Sequence, residues 1–563
     1  MKKNKLNRKY HFMRVKVIII LLLFLNVAKA QYFNNPVLAG FYPDPSICKA
    51  GDDYYLVNST FAYFLGLPIF HSKDLLNWQQ IGHALTRPGQ LILNDAGVSD
   101  GLFAPSIEYN NGLFYIVCTN ISGIDNFVIT AKNPVGPWSN STALPAIDGI
   151  DPSLFFDDDG KTYIVYNSIP PENQPLYDGH RTIRLLEFDT ARLMTKGENR
   201  IIVNGGTDIN KKPVWIEDPH LFKRNGWYYL ICAEGGTGYH HSEVVFRAKT
   251  LNDKFIPYKN NPILTQRQLD PNRLFPVTST GHADFIEDGE GNWWAFFLGC
   301  RPYKEDFYNT GRETFMAPVN WEDDWPVIDL KGSEVKYQYP IKAKRDNLLQ
   351  QYNSNFRFVD KFQSKQLNNR FVFLRPPTEK WYQLGKKGLT IKLQPQTCSE
   401  KLNPSFIGFR QSQLKGTAMT GFHFSAKNEN EKAGLLVFQN EIHYYFLAKS
   451  IENGKPVIQL FKGNEGSGAM KMQLLFSSIL EKGRYVYFKV EADNGLYRFF
   501  YSIDRRIWKQ LGNDLDGAYL STHVAGGFVG VMYAMYATSN GKQTTNTATF
   551  NFFEITNNDD PYK

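Results

Sequence analysis

Beyond its first 30 residues this chain has no apolar run long enough to cross a membrane, no excess of charge and few cysteines. Each absence excludes something. The five cysteines, Cys48, Cys118, Cys232, Cys300 and Cys398, are odd in number and their spacing suits no metal motif. Cys118 and Cys232 follow predicted strands, where a thiol packs as a small apolar group, and nothing specifies a disulfide. The formal net charge of +8 comes wholly from residues 1–30, which hold eight Lys or Arg and no acid. The remainder carries 55 basic and 55 acidic residues, which leaves no electrostatic case for a nucleic-acid partner. Long amphipathic helical patterns are also missing.

Residues 1–30 read as a signal peptide. A basic stretch, 2–16, precedes the apolar run 17–25, and Ala28-Lys29-Ala30 supplies a small-x-small cleavage site. The expected mature start is Gln31, the expected location is the periplasm or the medium, and no membrane attachment is expected after cleavage. No Cys stands at the cleavage site, which argues against a lipid anchor. At 563 residues the chain is too long for one core, so at least two domains are expected.

Aromatic residues are abundant, and many fall in a repeat. A short module begins at Asp44-Pro45-Ser46-Ile47, Ala104-Pro105-Ser106-Ile107, Asp151-Pro152-Ser153-Leu154, Asp218-Pro219-His220-Leu221 and, degraded, His282-Ala283-Asp284-Phe285. A turn and an aromatic strand follow each copy, as in Asn225-Gly226 and then Trp227-Tyr228-Tyr229-Leu230. Five copies of an all-β unit predict a five-bladed β-propeller over residues 31–340. After Pro340 the module stops, a basic connector (342–351) follows, and short alternating strands continue from 354 to 563. Examples are Gly421-Phe422-His423-Phe424 and Tyr485-Val486-Tyr487-Phe488. They predict a β-sandwich of jelly-roll, concanavalin-like type.

Three acids stand at one corner of the repeat: Asp44, Asp151 and Glu217. Blades bring equivalent strands together at the axis, so acids far apart in sequence converge there. Clustered carboxylates repel, which keeps one protonated near neutral pH while another stays ionised. Glycosidic cleavage needs such a pair. Asp before Pro is also a common turn former, but blade two does without the acid at Ala104. His240-His241-Ser242-Glu243 lacks a helical metal-binding spacing, and Gly235-Gly236-Thr237-Gly238 lacks the Lys of a phosphate loop.

These stretches, in order, resemble glycoside hydrolase family 43, and in particular its exo-acting β-xylosidases with a C-terminal sandwich. The resemblance is carried by Ala39-Gly40-Phe41-Tyr42-Pro43-Asp44-Pro45-Ser46, Asn58-Ser59-Thr60-Phe61, Ile150-Asp151-Pro152-Ser153, Glu217-Asp218-Pro219-His220-Leu221, Gly281-His282-Ala283 and Gly311-Arg312-Glu313-Thr314. It implies hydrolysis with inversion, with Asp44 as general base, Glu217 as general acid and Asp151 tuning and orienting Glu217. Inversion needs base and acid roughly 6.5–9.5 Å apart to admit water. The resemblance further implies that Arg312 contacts substrate, that Phe61 and Phe103 wall the pocket, that Glu234 supports it or binds substrate, and that His282 lies near its floor. No cofactor is required; a divalent cation such as calcium beside His282 is the variant some members show.

Two departures bear on specificity. Asp218 stands where the family usually has a small residue. Phe103-Ala104-Pro105-Ser106 replaces the commoner Trp-Ala-Pro-Asp form and alters the outer subsite. The expected activity is release of xylose from the non-reducing ends of β-1,4-xylo-oligosaccharides of plant cell-wall hemicellulose. Removal of α-L-arabinofuranose from arabinoxylan or arabinan is the alternative, and a sugar-binding propeller without turnover is a further one. The sandwich is expected to be mainly structural.

Overall fold

The computed structural model describes residues 31–563 apart from 94, 329–333, 342–351, 465–471 and 482. The expected signal peptide and the expected basic connector therefore lie outside the described residues. Five antiparallel sheets make up the first half of the chain. Their first strands are Ser46–Ala50, Ser106–Asn110, Gly149–Phe156, Glu217–Arg224 and Thr278–Glu287. These five strands pack side by side in a closed ring, each against the next and the fifth against the first. That is a five-bladed propeller, and the strand that opens each blade lines its axis.

The module explains how this strand is shaped. Proline has no N–H to donate, so the ladder skips at Asp151-Pro152 and Asp218-Pro219, where the pairing register shifts. The residue before proline turns into left-handed backbone, with φ of 51° at Asp44, 54° at Asp151 and 49° at Asp218. Asp tolerates that region better than most residues. His282 takes the same conformation, φ 57°, in blade five. The acid thus has a part in the geometry of the strand. The module's serine ties blades together: Ser46 Oγ accepts from Ile107 N at 3.1 Å and donates to Asp284 Oδ2 at 2.9 Å, and Ser153 Oγ donates to the Pro219 carbonyl at 2.5 Å.

The ring is sealed near the start of the chain. Gln31–Asn34 pairs antiparallel with Gln338–Ile341. The Asn35 amide then imitates a strand, accepting from Met316 N at 2.9 Å and donating to its carbonyl at 2.8 Å.

Residues from 357 onward form a sandwich of a nine-stranded and an eight-stranded sheet. The alternation read from Tyr485-Val486-Tyr487-Phe488 is real: strand Tyr485–Asp493 alternates partly and fully buried residues along its whole length. One edge of the eight-stranded sheet comes from the propeller. Tyr63–Phe64, in the blade-one loop, pairs antiparallel with Val372–Leu374. One apolar core runs through this junction, with Leu67, Ile69 and Leu102 of the propeller in the same cluster as Phe373, Trp381 and Leu435. Helix is confined to short turns, and among the described residues no helix is long and apolar enough to cross a membrane. All five cysteines are buried and free.

Candidate active site

Asp44, Asp151 and Glu217 come from blades one, three and four and meet at the axis, each nearly out of contact with solvent. Asp44 is held on two sides. Ser59 Oγ donates to its Oδ2 at 2.5 Å, and Arg312 Nη1 lies 3.1 Å from its Oδ1. Burial pushes the Glu217 carboxyl up to about 7; the cations His282 and Arg312 oppose the rise, and the charges of Asp218 and Asp44 add to it. Asp151 is raised well above the ordinary carboxylate range, first by burial and then by Glu217, Asp218 and Asp44, with His282 opposing. Glu217 Oε1, Asp44 Oδ1 and Arg312 Nε are all buried without a hydrogen-bond partner in the protein. At Asp44 Oδ1 the contact with Arg312 is an ion pair by distance but lacks hydrogen-bond direction. Buried polar atoms are rarely left so. These three belong to side chains that interact with one another at the axis, which makes them candidates for contact with a bound ligand.

Aromatic rings enclose the Arg312 side. Phe61 lies 5.4 Å from Phe103 between ring centroids, and both meet a third ring, Phe528, at 5.6 and 5.7 Å. The Arg312 guanidinium faces Phe528 at 5.4 Å and Phe61 at 5.8 Å. Phe528 belongs to the sandwich. It follows Gly526 and Gly527, whose φ values of 70° and 76° allow the tight turn, and its N–H donates to Ser99 Oγ of the propeller at 2.9 Å. The expectation of a mainly structural sandwich is therefore incomplete, because this domain supplies one wall of the aromatic enclosure.

Asp218, the departure from the family pattern, sits between two histidines. Its Oδ1 is 3.1 Å from His282 Nε2 and 3.2 Å from His220 Nε2. Burial alone would raise its pKa, but the two imidazoles hold it well below the usual range. His220 Nδ1 lies 3.5 Å from Asp284 Oδ1. The result is a line of alternating charge, His282, Asp218, His220 and Asp284, on alternate residues of two neighbouring strands. Burial would lower His282, but Asp218 and Asp44 raise it to about 10, which favours the charged ring. Among the described residues no group of three or more His, Cys, Asp or Glu is arranged to hold a metal ion.

Glu234 is placed differently from the other site residues. Its carboxylate turns to the loop at Gly205–Thr207, accepting from Thr207 N at 2.9 Å and Thr207 Oγ1 at 3.2 Å. It lies beside Ala233, which pairs with Glu217 across the sheet. His241 also belongs to the surroundings of the acids. It is buried, lowered to about 3 by burial and by the neighbouring cations His282 and Arg312, and bonded through Nδ1 to the Ser279 carbonyl at 3.1 Å.

Known proteins resemble this chain over most of its length. Residues 33–326 match the glycosyl hydrolases family 43 domain, and residues 359–556 match the beta xylosidase C-terminal concanavalin A-like domain. The chain is 38% identical to a xylosidase/arabinosidase of Butyrivibrio fibrisolvens over 93% of its own length and 99% of that protein. It is 35% identical to a non-reducing end alpha-L-arabinofuranosidase of Bacteroides ovatus, over 96% and 98% of the two chains. The crystal structure of a GH43_12 protein retrieved from a capybara gut metagenome superposes with a TM-score of 0.84 at 40% identity, covering 91% of this chain and 96% of that one. An axial cluster of acids, an arginine paired with one of them and a sandwich packed on the blades thus occur here in a chain that belongs to the family 43 glycosyl hydrolases.

Proposed function

We propose that this glycoside hydrolase releases xylose from the non-reducing ends of β-1,4-xylo-oligosaccharides from plant hemicellulose, with inversion at the anomeric carbon. The observation that carries the reading is the set of unpartnered buried atoms, Asp44 Oδ1, Glu217 Oε1 and Arg312 Nε, in the axial cluster, with aromatic rings on its Arg312 side. Glu217, up at about 7, is protonated through much of the neutral range and serves as the acid. Asp44, held by Ser59 and Arg312, takes a proton from water as that water attacks C1. The C1–O bond breaks, and the Glu217 proton goes to the departing oxygen. Water enters opposite the leaving group, so a β-xyloside yields α-xylose. Asp151, raised first by burial and further by the charge of Glu217, is the third acid of the cluster and orients Glu217. Arg312 orients Asp44 and offers its remaining donors to sugar hydroxyls, while Phe61, Phe103 and Phe528 shed water from the pocket.

Proton NMR of the chain acting on xylotriose tests this. Early α-xylose supports it; β-xylose first, or no reaction, overturns it. Removal of α-L-arabinofuranose is the second reading, favoured by the match to the Bacteroides ovatus protein. Rates on 4-nitrophenyl β-D-xyloside and α-L-arabinofuranoside decide between them. We further propose that residues 1–30 direct export; a secreted chain whose N-terminus is not Gln31 overturns that cleavage site.

A further inference from the structure

We propose that Trp215 and Arg181 form the subsite for the sugar on the leaving-group side of the scissile bond. The inference rests on reading Glu217 as the proton donor.

The first observation is strain beside the acid. Between residues 212 and 218 three non-glycine residues adopt left-handed backbone: Lys212 at φ 53°, Trp215 at 52° and Asp218 at 49°. Asp218 has its place in the module. A bulky ring such as Trp215 seldom takes that conformation, and such outliers persist where the surroundings impose them, often at functional sites. Here they do impose it. Trp215 N donates to the Gly179 carbonyl at 2.9 Å, and Gly235 N donates to the Val214 carbonyl at 2.8 Å. Gly179 has φ 81°, and a Cβ there would come within 3.2 Å of Trp215 Cδ1.

The second observation is what the two side chains leave unused. The Arg181 guanidinium lies over the indole at 4.3 Å. Among the described residues it makes one hydrogen bond, from Nη1 to the His180 carbonyl at 3.3 Å, and no ion pair. Trp215 packs against no other aromatic ring among the described residues, and both side chains are partly exposed. An arginine has five N–H donors in a planar fork, so most of this one's capacity is free, and it is held flat against an indole.

Position supplies the ligand. A general acid must reach the glycosidic oxygen, so the departing sugar lies against the chain that carries Glu217. Asp44, Arg312, Phe61 and Phe528 close the opposite side, from blades one and five and the sandwich. Trp215 precedes Glu217 by two residues at the entry to blade four, and Arg181 precedes the blade-three strand Thr182–Asp189, so the pair borders the acid from these two blades. An indole covers the C–H face of a pyranose, and a guanidinium fork spans neighbouring hydroxyls. The ligand is a pyranose unit of a β-linked oligosaccharide.

The test compares xylobiose, whose leaving group fills this subsite, with β-D-xylosyl fluoride, whose leaving group is one atom. We expect Trp215→Ala and Arg181→Ala to lower kcat/KM on xylobiose at least tenfold and on the fluoride less than twofold, with Arg181→Lys intermediate on xylobiose. Equal losses on both substrates, or none on xylobiose, overturn the proposal. If Trp215→Ala does not fold, Trp215→Leu and the Arg181 variants carry the same comparison. A wild-type chain that cleaves arabinofuranosides instead sinks the xylosidase reading, and the comparison passes to an α-L-arabinofuranosyl-substituted xylobiose, whose departing sugar is a pyranose, against α-L-arabinofuranosyl fluoride with the same criteria. A wild type inert on every substrate overturns the acid assignment and this inference together.

Discussion

Arg312 Nη1 lies 3.1 Å from Asp44 Oδ1, and the same guanidinium faces the ring of Phe528 at 5.4 Å. One side chain of blade five thus touches the carboxylate read as the base and the ring that the second domain contributes. Steering the base and closing the pocket converge on it.

Asp44→Asn and Glu217→Gln should each lower kcat on xylobiose by about 10²–10⁴-fold, the range for losing a general base or acid. The Glu217→Gln loss should shrink on 2,4-dinitrophenyl xyloside, whose leaving group needs little protonation, whereas the Asp44→Asn loss should not. Steady-state rates on the two substrates check both. A wild-type rate in either variant removes that residue from its role.

Activity should fall as pH rises through about 7, because Glu217 acts in its protonated form and its carboxyl is raised to that value. Arg312 opposes that rise. Arg312→Gln should therefore move the alkaline limb of the kcat/KM profile to higher pH while lowering its height. A limb that stays in place would show that the proton lost on that limb is not on Glu217.

Phe528→Ala should leave the fold intact and weaken sugar binding, seen as a higher KM and lower kcat/KM with an unchanged melting temperature. Truncation near residue 340 should be far more damaging, since it strips the partners of Tyr63–Phe64 and bares the core shared with Phe373 and Trp381. A soluble, fully active truncated chain would contradict this account of the junction.

Arg301 is wholly buried, bonded to Glu313 at 2.6 and 2.8 Å, to Gln413 at 2.7 Å and to Asp559 at 3.1 Å. Arg301→Ala should cost about 3–5 kcal/mol, because it leaves two carboxylates buried without their cation. Thermal melting measures the loss. Glu313→Gln, which lowers the buried charge on one side only, should cost less.

Asp44 and Asp151 were legible because each opens a copy of a repeated module, and the repeat says where its copies meet; Glu217 stands one residue before the fourth copy. The line through His220 and Asp284 was also written there, as two residues spaced by two on each of two blades. The bulges at Asp218-Pro219 and between Gly281 and Asp284 break the plain period of two there, so the ion pairs themselves show only in the structure. Phe528 had no such signal. It follows a glycine pair in a domain without the module, and its partners Phe61 and Phe103 lie near the other end of the chain. Tyr63–Phe64 was equally hidden, since a two-residue strand in a loop has no period to read.

That short strand makes the two domains poor candidates for exchange. Shuffling modules between enzymes works where few contacts cross the cut, yet here the hydrogen-bonded edge of the second unit is a loop of the first blade. A donor sandwich would have to arrive with a matching loop at residues 58–66 and a ring to replace Phe528. The two halves are expected to have changed together, as one inheritable piece.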